Sequence, residues 1–193
     1  STLVKIISGV YHRDEGSMWY DGKEVNFTNV RQSMDAGISI IHQELNLLPE
    51  RTIAQNIYLG HEPMKKGLKG VVDYKKMVRD SRALMESLGL DMNPNTLVKK
   101  LSIAQMQMVE VVKALSKEVK LVIMDEPTSS LTSREITKLF EIVERLKKQG
   151  VAIIYISHRM DEIKRIGDHV TVMRDGRVTD TRTVKDISRD EII

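Results

Sequence analysis

The chain has 193 residues, 41% of them hydrophobic, enough for one domain with a real core. Its formal charge is +3, from 30% charged residues of mixed sign, and only 4% of residues are aromatic. Without a basic stripe or a supply of base-stacking rings, nucleic acid is disfavoured as a partner. Cysteine is absent, which excludes disulfides and thiolate chemistry and fits a reducing compartment. No apolar run approaches bilayer-crossing length and no signal peptide opens the chain, so any membrane role works through a partner. The start, Ser1-Thr2, lacks an initiator methionine and reads as a cut inside a longer protein.

Leu3, Val4, Ile6 and Ile7 predict a short apolar helical segment that Ser8-Gly9 ends. Residues 17–25 carry β-formers on both sides of Asp21-Gly22, the strongest short hairpin signal a sequence offers. A buried strand is expected over Ile38–His42, leading into Gln43, a polar residue at a strand end. From Glu44 to Leu101 the texture changes to helical patterns, a Lys/Gly-rich loop at 65–70 and a turn at Asn93-Pro94-Asn95. Within it Asp73 can cap a helix with Met77, Leu84, Met85 and Leu88 on its apolar side, stopped by Gly89. The methionines there read as core filler.

Ser102 and Gln105 stand in capping-box spacing at the start of a helix running to Ser116. That pattern is sufficient for a well-capped helix, and the same orphan N–H groups, dipole and hydroxyl also suit a phosphate. A strand over Val119–Met124 follows, then Thr132 and Glu135 repeat the capping pattern. The helix they open places Ile136, Leu139, Phe140, Val143 and Leu146 on one face and stops at Gly150. Val151–Ile156 is another unbroken strand, ending in Ser157-His158. A short helix over Met160–Ile166 ends at Gly167, and a last hairpin turns at Asp175-Gly176. Strand, helix, strand, helix, strand is the order of an α/β fold with a parallel core, here with a helical insertion.

The stretch with the most chemistry is Leu121 to Ser130. Apolar residues run straight into Asp125 and Glu126, and Pro127 forces the chain out of the sheet. In open α/β sheets ligands bind at that strand end, where one carboxylate can hold magnesium and its neighbour polarise a water. For these ten residues alone, a strand followed by an acidic turn explains the pattern as well as a nucleotide site does. His158, taken alone, reads more readily as a structural residue than as a catalytic one.

In combination, the chain resembles the ATP-binding cassette (ABC) ATPases over almost its whole length. The resemblance is carried by residues 41–47 (Ile-His-Gln-Glu-Leu-Asn-Leu), Leu101–Gln105 with Met108-Val109-Glu110, Asp125–Thr132, Tyr155–Arg159 and Val172–Gly176. Within that family it is most similar to the first cassette of tandem-cassette ATPases from bacterial monosaccharide importers. The resemblance implies a P-loop NTPase fold, with core residues 1–43 and 117–193 and a helical subdomain at 44–116. It implies ATP and Mg2+ as cofactors. Ser1 matches the last residue of the phosphate loop G-x-x-x-x-G-K-[ST], a magnesium ligand, and Thr2 follows toward the phosphates. Gln43 matches the glutamine that touches magnesium and water and senses the membrane partner. Asp125 would hold the metal through water, Glu126 would act as general base, and His158 would bridge that glutamate and the γ-phosphate. Ser102, Ala104 and Gln105 would meet the γ-phosphate of an opposite cassette.

The partners implied are membrane permease subunits, a second cassette and, indirectly, an external sugar-binding protein, with no nucleic acid. The location implied is the cytoplasmic face of the membrane. A nucleotide-binding regulatory cassette with little hydrolysis, or a cassette ATPase acting on nucleic acid or ribosomes, are the alternatives. Two stretches depart from the general family pattern: Ile103-Ala104 stand in place of two glycines, and Thr132 in place of an aspartate. By the same resemblance the strand preceding the phosphate loop belongs inside the sheet, which these residues are expected to lack.

Overall fold

The structure is a computed structural model that describes residues 2–68 and 70–186. Ser1 lies outside the described residues. In chain order come α1 (Thr2–Ile7), the hairpin β1 (Met18–Tyr20) and β2 (Lys23–Val25), α2 (Val30–Asp35), and β3 (Ile38–Ile41). Three helices follow, α3 (Ile53–Ile57), α4 (Tyr74–Ser87) and α5 (Ile103–Ala114). Then β4 (Leu121–Asp125), α6 (Ser133–Lys148), β5 (Ala152–Ile156) and α7 (Met160–Ile166) lead to a final hairpin of β6 (His169–Arg174) and β7 (Arg177–Thr183).

The expected α/β class and parallel core are present. Strands β3, β4 and β5 form one parallel sheet with β4 in the middle. Alternate residues of β4 face opposite sides, and both sides are covered, which is why the strand reads as a continuous apolar run. Val122 and Met124 join a large cluster with Ile53 and Ile57 of α3, Met85 of α4, Val109 and Val112 of α5, and the apolar face of α6. Leu121 and Ile123 face the other way, onto Val4 of α1, Phe27 and the first hairpin. A fully buried side chain of this size contributes about 1.5–3 kcal/mol, so β4 is the most heavily anchored strand of the sheet.

Strand β5 is hydrogen-bonded to β4, and β6 with β7 forms a separate two-stranded sheet among the described residues. The two hairpins turn as the sequence requires. Asp21 and Gly22 sit at φ 52° and 73°, Asp175 and Gly176 at 50° and 75°, the left-handed pair a type I′ turn needs. The α4 cap and the buried Met77 and Met85 are as expected, and the face of α6 is buried at all five residues read from its periodicity.

Element ends differ from the sequence reading by one or two residues. Strand β3 stops at Ile41 rather than His42, and β4 begins at Leu121, where the N–H groups of Lys120 and Leu121 both reach the carbonyl of Gly37. Val151 is spent on closing α6, its N–H bonding Leu146 O, so β5 begins at Ala152. Helix α5 ends at Ala114 rather than Ser116, where the Ser116 N–H bonds Lys113 O, three residues back rather than four.

Gly9 is the tightest joint between elements. Its φ is +74°, and a Cβ there would lie 2.6 Å from the backbone oxygen of Asn29, the residue that caps α2. Gly176 has nearly the same φ with nothing within 4 Å. Gly9→Ala should therefore lower unfolding free energy by roughly 2–4 kcal/mol, against about 1 kcal/mol for Gly176→Ala. Urea denaturation midpoints of the two variants measure the difference, and equal shifts would contradict the assigned contact.

Candidate functional site

Parallel register brings the polar strand ends together. Ile41 is opposite Met124, Met124 opposite Tyr155, and Asp125 opposite Ile156. Gln43, Asp125, Glu126 and His158 thus leave the same edge of three adjacent strands, within one or two residues of each strand's last residue. The Gln43 amide nitrogen lies 3.5 Å from one carboxylate oxygen of Glu126, and His158 Nδ1 lies 3.3 Å from the other. The His158 contact is an ion pair when the ring is protonated. With side-chain exposures of 31% for Glu126 and 73% for His158, the group opens to solvent and to a ligand.

Glu126 sits in an unusual backbone state, φ +46°, which costs a residue with a side chain about 1–2 kcal/mol. Such a conformation persists where the surroundings over-determine it. Here the Glu126 N–H donates to Ile156 O at 3.0 Å and the Ser129 N–H returns to Glu126 O at 3.3 Å. Next to it, Glu162 of α7 is 3% exposed and accepts hydrogen bonds from Thr128 Oγ1 (2.7 Å), Tyr155 OH (2.8 Å) and Ser157 Oγ (3.0 Å), with the Arg159 guanidinium at 2.9 Å. Burial, and then the bond to Glu162, push the Tyr155 phenol above its usual pKa.

Sequence reasoning missed Glu162. The one signal available was an acidic residue in the first turn of a short helix just after His158.

The loop after Gln43 is fixed from two sides. The Asn56 side chain, fully buried in α3, accepts from Leu48 N–H (2.7 Å) and donates to Leu48 O (3.1 Å) and Thr52 O (3.0 Å). From α5, Glu110 accepts from the Asn46 N–H at 2.8 Å while Lys113 donates to Asn46 O at 3.0 Å, the two side chains being paired at 3.5 Å. Neither anchor was read from the sequence.

At the tip of α5 the expected capping box is complete. Ser102 Oγ accepts from Gln105 N–H at 3.2 Å, and the Gln105 side chain accepts from Ser102 N–H at 2.9 Å. The cap uses Ser102 Oγ as acceptor and leaves its O–H to donate. Ala104 is buried, while Ser102, Ile103 and Gln105 are exposed, Ile103 at 57%. Among the described residues no hydrogen bond or ion pair joins this tip to Gln43, Glu126 or His158. Thr2 is exposed at the start of α1.

Among the described residues no three His, Cys, Asp or Glu side chains cluster to hold a metal by themselves. The Gln43 amide and Asp125 carboxylate are hard oxygen donors at neighbouring strand ends. That sparse set suits magnesium, which takes one or two protein ligands and fills its octahedron with water and phosphate.

Residues 1–129 match the ABC transporter family model. The chain belongs to the ABC transporter family. Over all 193 residues it is 48% identical to the galactose/methyl galactoside import ATP-binding protein MglA 1 of Photobacterium profundum, covering 39% of that protein. It is 46% identical to the ribose import ATP-binding protein RbsA of Geobacillus kaustophilus, of which it covers 38%. The chain thus spans under two-fifths of the length of these relatives. Two solved ABC cassette structures cover 99% of the chain. One superposes with a TM-score of 0.84 at 25% identity over 80% of its own length. The other, in an ADP conformation, gives 0.82 at 26% over 81%. The fold is therefore that of an ABC ATPase cassette.

The anchoring of the Gln43 loop is measurable. Asn56→Ala empties a fully buried position and removes its bonds to Leu48 N–H, Leu48 O and Thr52 O, and loss of about 2–4 kcal/mol of unfolding free energy is expected. An unchanged denaturation midpoint would remove Asn56 as the anchor.

Proposed function

We propose that this ABC cassette binds and hydrolyses ATP to drive import of a monosaccharide through membrane permease subunits. The observation that carries the reading is the meeting of Gln43 and His158 on the Glu126 carboxylate at the ends of three adjacent parallel strands. Glu126 is placed to accept a proton from water as the water oxygen attacks the γ-phosphorus and the bond to ADP breaks. Gln43 and His158 fix the carboxylate's two oxygens, and a charged imidazole would also favour the negative charge of the transferred phosphate. Ser1, Gln43 and Asp125 would hold Mg2+, which supplies charge neutralisation to the phosphate oxygens.

The α5 tip with Ser102, Ala104 and Gln105 points to a role on the nucleotide of a second cassette, so two cassettes are needed for turnover. Thr2 completes the phosphate side together with Ser1. Residues 44–116 form the subdomain that receives the permease, near Gln43–Gly60, where Leu48 and Leu59 are exposed. A sugar cargo is supported by the import functions named for the galactoside and ribose relatives. No helix among the described residues is long and apolar enough to cross a membrane, and the reading places the chain at the cytoplasmic face, held by the permease.

In the intact protein, Glu126→Gln should lower ATP turnover by about 10²–10⁴-fold with nucleotide affinity kept. Unchanged turnover would favour a regulatory, non-hydrolysing cassette. Charge changes at exposed Glu44, or at Glu50, which pairs with Lys99 at 2.8 Å, should reduce sugar uptake into vesicles with ATPase retained. Equal loss of both activities would count against this face as the permease contact.

A further inference from the structure

The Glu162 carboxylate touches both loops of the site and neither reacting group. Thr128, two residues beyond Glu126 and 3% exposed, donates to one of its oxygens at 2.7 Å. Ser157 and Arg159, the neighbours of His158 on either side, bond the same carboxylate at 3.0 and 2.9 Å, and Ser157 Oγ also accepts from the Arg159 N–H at 3.0 Å. Tyr155 from β5 supplies the remaining bond at 2.8 Å. A buried carboxylate is costly unless fully paired, and four partners meet that demand. Thr128 is in turn held by it, since a buried hydroxyl that loses its acceptor has nowhere to turn, and the half-buried Tyr155 and Ser157 hydroxyls and the exposed Arg159 guanidinium converge on the same carboxylate.

We infer that Glu162 is a positioning residue for hydrolysis, a buried tie that keeps the Glu126 loop in its left-handed backbone state and His158 within reach of the Glu126 carboxylate. The inference rests on the reading of Glu126 as the group that handles the attacking water. The left-handed residue at φ +46° gains little from its own side chain, so its conformation depends on what is fixed on either side. On one side the Glu126 N–H is bonded to Ile156 O at 3.0 Å. On the other side, where the Ser129 N–H returns to Glu126 O, the side-chain anchor beyond rigid Pro127 is Thr128 on Glu162. Releasing it frees the carboxylate and the imidazole to drift apart without touching the phosphate contacts of the strand ends.

The test compares wild type, Glu162→Gln and Thr128→Val in the intact protein. It reads steady-state ATP hydrolysis, affinity for a magnesium-bound non-hydrolysable ATP analogue, and amide hydrogen exchange without nucleotide. Glu162→Gln keeps the shape but loses the charge pairing Arg159. It should lower kcat by about 10–100-fold, leave KM and analogue affinity within about threefold, and speed exchange at both 126–130 and 157–159. Thr128→Val, which removes one arm and spares the carboxylate, should speed exchange at 126–130 alone with a smaller loss of kcat. Should Glu162→Gln fail to fold, that second variant still decides the matter. Unchanged kcat and exchange would overturn the inference, as would parallel loss of kcat, affinity and melting temperature, the mark of a fold-wide role. Wild type without turnover would sink the hydrolysis reading alone, and the exchange comparison would still judge the tie between the loops.

Discussion

The constraint on which this chain depends is the parallel pairing of β4 between β3 and β5. A central strand buried on both faces has its register fixed by the helices α3, α5 and α6 on one side and by α1 and the first hairpin on the other. A slip by one residue would turn Val122 and Met124 outward and move every strand end with them. Because the register is fixed, Gln43, Glu126 and His158 come from segments far apart in sequence yet meet without any of the three contributing to the core. The packing energy is spent in the sheet, and the chemistry is carried on its edge.

The site is held from behind in two different ways. Near the carboxylate, Glu162 gathers hydroxyls and a guanidinium into one buried polar knot, the type of network that rigidifies only when every member is satisfied. On the Gln43 side, backbone groups of Asn46 are held by an ion pair from α5, the helix whose N-terminus is the Ser102 tip. The Gln43 loop and the Ser102 tip are therefore mechanically joined through α5, so a displacement of one is transmitted to the other.

The strands and long helices were legible because their information is local. The apolar run of β4, the five-residue face of α6 and the two Asp-Gly turns are readable within a window of a few residues. Of the short helices, α1 and α7 were legible with a glycine as their stop, whereas α2 and α3, of six and five residues, were too short to show a period. Thr52-Ile53-Ala54-Gln55 forms the same capping box as Ser102-Ile103-Ala104-Gln105, yet its helix is buried, so the pattern marks a helix start and carries function only by location. The placement of Gln43, Asp125, Glu126 and His158 at strand ends was legible from the strand order, and the roles proposed for them come through family resemblance. Glu162 was not, since the bond that ties it to the Glu126 loop comes from Thr128, 34 positions away. The left-handed state of Glu126 was equally hidden, because it is imposed by neighbours across the sheet rather than by its own residue type.

The most direct test of the account is a crystal structure of the intact protein with magnesium, ADP and vanadate as a mimic of the transferring phosphate. The account predicts that the apical vanadate oxygen lies about 3 Å from the Glu126 carboxylate, with Gln43 and His158 flanking it. Vanadate bound elsewhere, or Glu126 turned away with Gln43 and His158 apart, would contradict it.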